Sequence, residues 1–155
     1  MTLYDELKQL LDEELKLLRF MTSLAEEKTD IILKNDTKAL DEITKKEETI
    51  IEKMEKVERD RGSLLEAIGL SKDASITEMI EKISDGKEDF LKYEEELIYT
   101  LSDLSNANLL NSELIRDNLD WIDFNLNILT NTQVSSGYCK SGEIQTGDTR
   151  FDRKV

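Results

Sequence analysis

The side chains with the most to offer chemically are six asparagines, Asn106, Asn108, Asn111, Asn118, Asn125 and Asn127, all between Leu104 and Leu129. Four of them fall on an apolar repeat that runs Phe90, Glu94, Leu97, Leu101, Leu104, Asn108, Asn111, Ile115, Asn118, Ile122, Asn125, Leu129. A carboxamide both donates and accepts hydrogen bonds and is costly to bury without partners. A row of them at helical spacing has two uses. It fixes the register of a packed seam, or it lines a half-polar groove whose amides pair with another chain's polar atoms. In the second case Leu114, Ile115 and Ile122 take that chain's apolar residues. Spacing alone leaves both open.

The remaining chemistry is sparse. The 155 residues include no histidine, which removes the usual base for a Ser or Cys nucleophile and the usual ligand of a catalytic zinc. A four-helix di-iron site is excluded on the same ground, because it needs Glu-x-x-His pairs. The lone Cys139 has no internal disulfide partner and suits a reducing compartment. Gly137 and Gly142 have P-loop spacing, but Glu143 and Ile144 stand where Lys and Ser/Thr are required. Asn35-Asp-Thr37 fits a glycosylation acceptor, without a secretory signal to make it meaningful. The chain reads as a non-enzyme that needs no cofactor and no metal.

Charge narrows the partners. Against 21 Lys and Arg stand 35 Asp and Glu, a net charge of −14. Such a surface repels nucleic-acid backbones and anionic membranes. No apolar run is long enough to span a bilayer, so the expectation is a cytoplasmic protein without membrane insertion.

The elements that position these residues follow from the apolar spacing. A first seam reads Leu3, Leu7, Leu10, Glu14, Leu17, Met21, Leu24, Lys28, Ile31, widened by Leu11, Leu15, Leu18 and Ala25. A face that wide packs against two neighbours. Asn35-Asp-Thr37 supplies turn and N-cap residues, and a second seam runs Leu40, Ile43, Glu47, Ile50, Met54, Val57, Arg61, Leu64, Ile68, with Gly69 as C-cap. The short junction favours an antiparallel hairpin over one continuous helix. Ser75-Ile-Thr-Glu78 is a capping box for a short helix, and Asp85 to Glu88 opens the third long one. Acidic pairs such as Glu13-Glu14 and Glu47-Glu48 read as solvated faces or partners of lysines on their own helix.

The expected fold is all-α, an elongated antiparallel bundle of three long helices plus one short helix over residues 1–130. A flexible C-terminal tail follows over residues 131–155, with three of the six glycines and a charge of +1 against −15 for the bundle. Trp121 and Phe124 each read singly as core aromatics. Taken with Leu109, Leu110, Leu114, Leu119, Leu126, Ile128 and Leu129, they exceed what one internal face can use. Apolar surface is left seeking a partner.

Asn108-Leu-Leu-Asn111-Ser-Glu-Leu114-Ile115 resembles the Asn-x-x-Asn-x-x-Leu-Ile pattern of FlgN-type flagellar export chaperones. The long acidic helices, Glu58-Arg59-Asp-Arg61 with Leu64-Leu65 and Gly69, and the tail from Tyr138 to Val155 are similar to that family too. The resemblance implies a cytoplasmic type III export chaperone that binds hook-associated (hook–filament junction) proteins, prevents premature assembly and delivers them to the export gate. It implies that the client's C-terminal amphipathic segment packs on the last helix at Asn108, Asn111, Leu114 and Ile115. Seam spacing extends that contact to Leu119, Ile122, Leu126 and Leu129. The resemblance also makes Tyr138 the residue for docking at the flagellar export gate, although the family's Tyr-Asp is Tyr138-Cys139 here. The competing reading is a coiled-coil structural adaptor that homodimerises through the Asn-bearing seam and has no export client. A homo-oligomer in the client-free state is compatible with both.

Overall fold

The computed structural model describes residues 2–130. Among them the elements are α1 (Leu3–Leu33), α2 (Thr37–Ile68), a short α3 (Ile76–Lys82) and α4 (Lys87–Thr130). The all-α fold with three long helices and one short one is as expected. The chain divides into two compact units, Met1–Ala107 and Asn108–Val155. The boundary falls within α4, and the expected tail over residues 131–155 lies outside the described residues.

Local chemistry sets each helix end. Thr2 caps α1 in a full capping box, its hydroxyl accepting from Asp5 N while Asp5 accepts from Thr2 N, both at 3.1 Å. Hydrogen bonding from the Thr2 backbone N–H, and then from the Thr2 side chain, holds the Asp5 carboxyl below its usual pKa. Asn35 takes the left-handed conformation at φ 56°, and Asp36 then caps α2 by accepting from Ala39 N. Gly69 closes α2 at φ 100°, a conformation glycine adopts at little cost. Ser75 caps α3 by accepting from Glu78 N at 3.1 Å.

Within the first unit α1 and α2 form the hairpin. Lys28 of α1 pairs with Glu47 of α2 at 3.1 Å near the turn, and Glu14 faces Arg61 at 3.8 Å further along. Numbers that rise on one helix while falling on the other mark an antiparallel pair. These four residues are the polar members of the two seams, so each interruption on one helix meets its opposite charge on the other. The acidic pairs therefore need correcting. Glu14 and Glu47 are half-buried inter-helix partners, whereas their neighbours Glu13 and Glu48 are exposed.

The main core gathers Leu7, Leu11, Leu15 and Leu18 of α1 with Leu65, Met79, Ile83, Phe90 and Leu97. Phe90 is fully buried, with Tyr4 edge-on at 6.5 Å and the Lys8 ammonium 5.6 Å from its ring centre. Lys8 also pairs with Asp89 at 2.9 Å, and Arg19 with Glu96 at 3.3 Å. These contacts run the first unit's part of α4 parallel to α1. A second cluster joins Met21 and Leu24 to Ile43 and Ile50. On α1 the stripe of Leu11, Leu15, Leu18 and Ala25 is the more deeply buried one, because it answers two neighbours, while Leu3 is exposed. On α4 Leu101 is also exposed, and Thr100 is buried in its place.

Glu14 carries a testable consequence. Burial pushes its carboxyl above the usual pKa, Arg61 at 3.8 Å offsets only part, and Glu58 adds to the rise. A carboxyl raised in the folded state costs stability once pH exceeds its unfolded pKa, and the cost is complete above its folded pKa. Glu14→Gln should therefore raise the urea midpoint at pH 7, with a gain that vanishes below the carboxylate range. A lower midpoint at pH 7 would show that the Arg61 pair outweighs burial.

Candidate functional site

The described residues of the second unit, 108–130, form the C-terminal part of α4. They contain no glycine or proline, so no residue breaks the helix. Their apolar residues do not keep to one stripe. Leu110, Leu114, Trp121 and Ile128 follow one helical row, while Ile115, Ile122 and Leu129 follow another about 100° round the axis. A helix patterned in this way cannot hide all of its apolar residues against a single neighbour.

Exposure follows from that pattern. Leu109, Leu110, Trp121, Ile122, Phe124, Leu126, Ile128 and Leu129 are all exposed, Trp121 at 67% and Leu129 at 80%. Trp121 and Phe124 are thus not core aromatics. The surplus of large apolar residues was the signal that they would lie outside. Of the residues expected to meet a client, Asn108, Ile122, Leu126 and Leu129 are exposed, Leu114, Ile115 and Leu119 half-buried, and Asn111 is only 3% exposed. Tyr138 lies outside the described residues.

The amides are partly engaged already. Asn125 donates from Nδ2 to the Trp121 carbonyl at 2.7 Å, one turn back along its own helix. Asn111, Asn118 and Asn127 have partners as well. Asn108 is the exposed amide of the Asn-x-x-Asn pair. The row of asparagines is therefore not a uniform polar ladder.

Around the exposed apolar residues stand four carboxylates, Glu113, Asp117, Asp120 and Asp123, against Arg116 alone. An apolar surface rimmed by negative charge accepts a helix with apolar residues on one side and basic ones beside them. It offers no nucleophile with an activating base. Among the described residues there is also no group of three or more metal-ligating side chains, and no helix is long and apolar enough to cross a membrane. The arrangement is suited to binding.

Sequence reasoning gave no site role to Leu109, Leu110, Trp121, Phe124 and Ile128, which widen the exposed face. Their surplus was visible as apolar surface seeking a partner, but the contact drawn from the resemblance and the seam left them out.

Comparison with known proteins gives the same direction. The sequence model of the FlgN family, described as FlgN protein, matches residues 1–146. A Bacillus subtilis (strain 168) protein described as uncharacterized protein YvyG is 32% identical over 123 residues, which cover 78% of this chain and 77% of that protein. No solved structure gives a significant match.

Trp121 is the chain's one tryptophan and reports on this surface directly. Its emission should be that of a water-exposed indole, and neutral acrylamide should quench it freely. Trp121→Ala should shift unfolding stability by no more than about 0.5 kcal/mol, as expected of an exposed side chain. Blue-shifted, protected emission would place it in a core instead.

Proposed function

The chain belongs to the FlgN family, a non-enzymatic family of flagellar export chaperones, and from that premise we propose that it binds hook-associated proteins in the cytoplasm and delivers them to the flagellar export gate. The observation that carries this reading is the exposed apolar surface of α4 between Leu109 and Leu129. Large apolar side chains left exposed together on one helix mark a site of association. The occupant proposed is the client's C-terminal amphipathic segment, whose self-association the chaperone prevents by covering its apolar side.

The proposed contact comprises Asn108, Asn111, Leu114, Ile115, Leu119, Ile122, Leu126 and Leu129. Ile122, Leu126 and Leu129 meet the client first, since they are already exposed. Leu114, Ile115 and Leu119 add to the contact as the surface is covered. Asn111 can take part only if the residues around it rearrange. Each large aliphatic side chain that passes from water into the interface contributes about 1.5–3 kcal/mol before the costs of association. Release then needs no ATP at this site, because a competing partner that binds either component shifts the equilibrium. Tyr138 is the proposed contact with the gate.

The test is a calorimetric titration with the C-terminal segment of a hook–filament junction protein from the same source. Saturable binding is expected. Ile122→Asp with Leu126→Asp should weaken it by at least about tenfold, or 1.4 kcal/mol. Both positions are exposed, so the circular dichroism of the variant should match that of the parent. Undiminished affinity in a folded double variant would move the client elsewhere. A tight dimer that binds no client would favour the structural adaptor.

A further inference from the structure

A groove of about 600 Å3 runs within the first unit, between Arg19–Glu26 on α1 and Lys92–Asp103 on α4. The proposed client contact uses none of these residues. The α4 wall spans about 16 Å along the helix axis, enough for three turns of another helix laid alongside. Thr22 and Thr100 line the groove and are buried. Their hydroxyls donate back to the carbonyls of Leu18 and Glu96, at 2.9 and 2.8 Å. An incoming apolar side chain therefore meets no hydroxyl left wanting a bond there. Tyr99, 71% exposed, adds an aromatic surface to the lining.

Charge selects the occupant. Arg19 is paired with Glu96, so Glu26, Glu95 and Asp103 stand against Lys92 alone. A second copy of the chain would bring a further −14, and an anionic membrane carries the same sign. A helix with small or apolar residues at every third and fourth position, flanked by Lys or Arg, satisfies the length, the lining and the charge together. We propose that the α1/α4 groove is a second docking site, which takes a cationic amphipathic helix of a partner protein and is separate from the client face.

The probe is a fluorescein-labelled synthetic peptide of about four helical turns, leucine on one face and lysine on the other. It is followed by anisotropy with the full chain, beside a twin carrying glutamate for lysine. The lysine peptide should bind saturably and the glutamate twin should not. Glu95→Lys with Asp103→Lys should weaken binding at least about tenfold, while Glu48→Lys with Glu52→Lys on α2 should change it less than about twofold. Ser23→Trp, which fills the groove from an exposed position without altering charge, should also weaken binding about tenfold. All of these are read in an Ile122→Asp with Leu126→Asp background, which disables the client face as a competing site for such a peptide, and binding should persist there.

Four outcomes overturn the proposal. Equal losses in the two charge reversals mean general attraction to an acidic chain. Full affinity in a folded Ser23→Trp variant means that the groove is not used. Loss of all binding in the Ile122→Asp with Leu126→Asp background places the peptide on the client face. Tenfold tighter binding in Arg150→Glu with Arg153→Glu would make the chain's own C-terminal segment the occupant.

Discussion

Water tolerates only a limited apolar surface on a helix before some other chain becomes the better solvent for it. The C-terminal part of α4 exceeds that limit by its composition. Between Leu109 and Leu129 it places leucine, isoleucine, tryptophan and phenylalanine around most of its circumference, and eight of them are exposed. At about 1.5–3 kcal/mol for each large side chain fully buried, even partial cover is a strong drive to associate. Solubility in the meantime depends on charge. Four carboxylates share this stretch, and the whole chain carries −14, so copies repel one another while a client with basic residues is drawn in.

The first unit solves the opposite problem. Its helices have one-sided apolar faces, and their buried leucines meet around Phe90, Met79 and Ile83. The polar residues within the seams are matched across the hairpin, Lys28 to Glu47 and Glu14 to Arg61. Such pairs add little net stability when half-buried, but a slip by one turn would leave each charge facing apolar neighbours. They therefore favour one register of the hairpin. A folded unit with its own core, caps and register lets the remainder of α4 serve as binding surface instead of structure.

Much of this was legible in the residue order. Asp36, Gly69 and Ser75 marked helix ends because capping is a local matter, decided by one side chain and the backbone within three residues. The three long helices were legible because apolar spacing repeats over many turns. Depth was not. A stripe shows which residues share a side and leaves open how many neighbours cover it, so Leu11 and Leu15 were given second place to the seam of Leu3 and Leu10. Glu14 and Glu47 were read as solvated or as partners of lysines on their own helix, because their true partners lie on another helix, beyond any local pattern. Trp121 and Phe124 carried a mixed signal: each suits a core, and only the crowding of apolar residues around the helix showed that there was no core large enough. The exposed face was thus implied by a surplus, while the burial of Asn111 was one of the two readings that its place on the seam left open.

The central claim is that the client covers the C-terminal part of α4. Amide hydrogen exchange on the intact chain, with and without a saturating junction-protein C-terminal segment, tests it most directly. The account predicts slower exchange concentrated in residues 108–130, with little change along α2. Protection confined to α1 and α2, or none despite demonstrated binding, would contradict it.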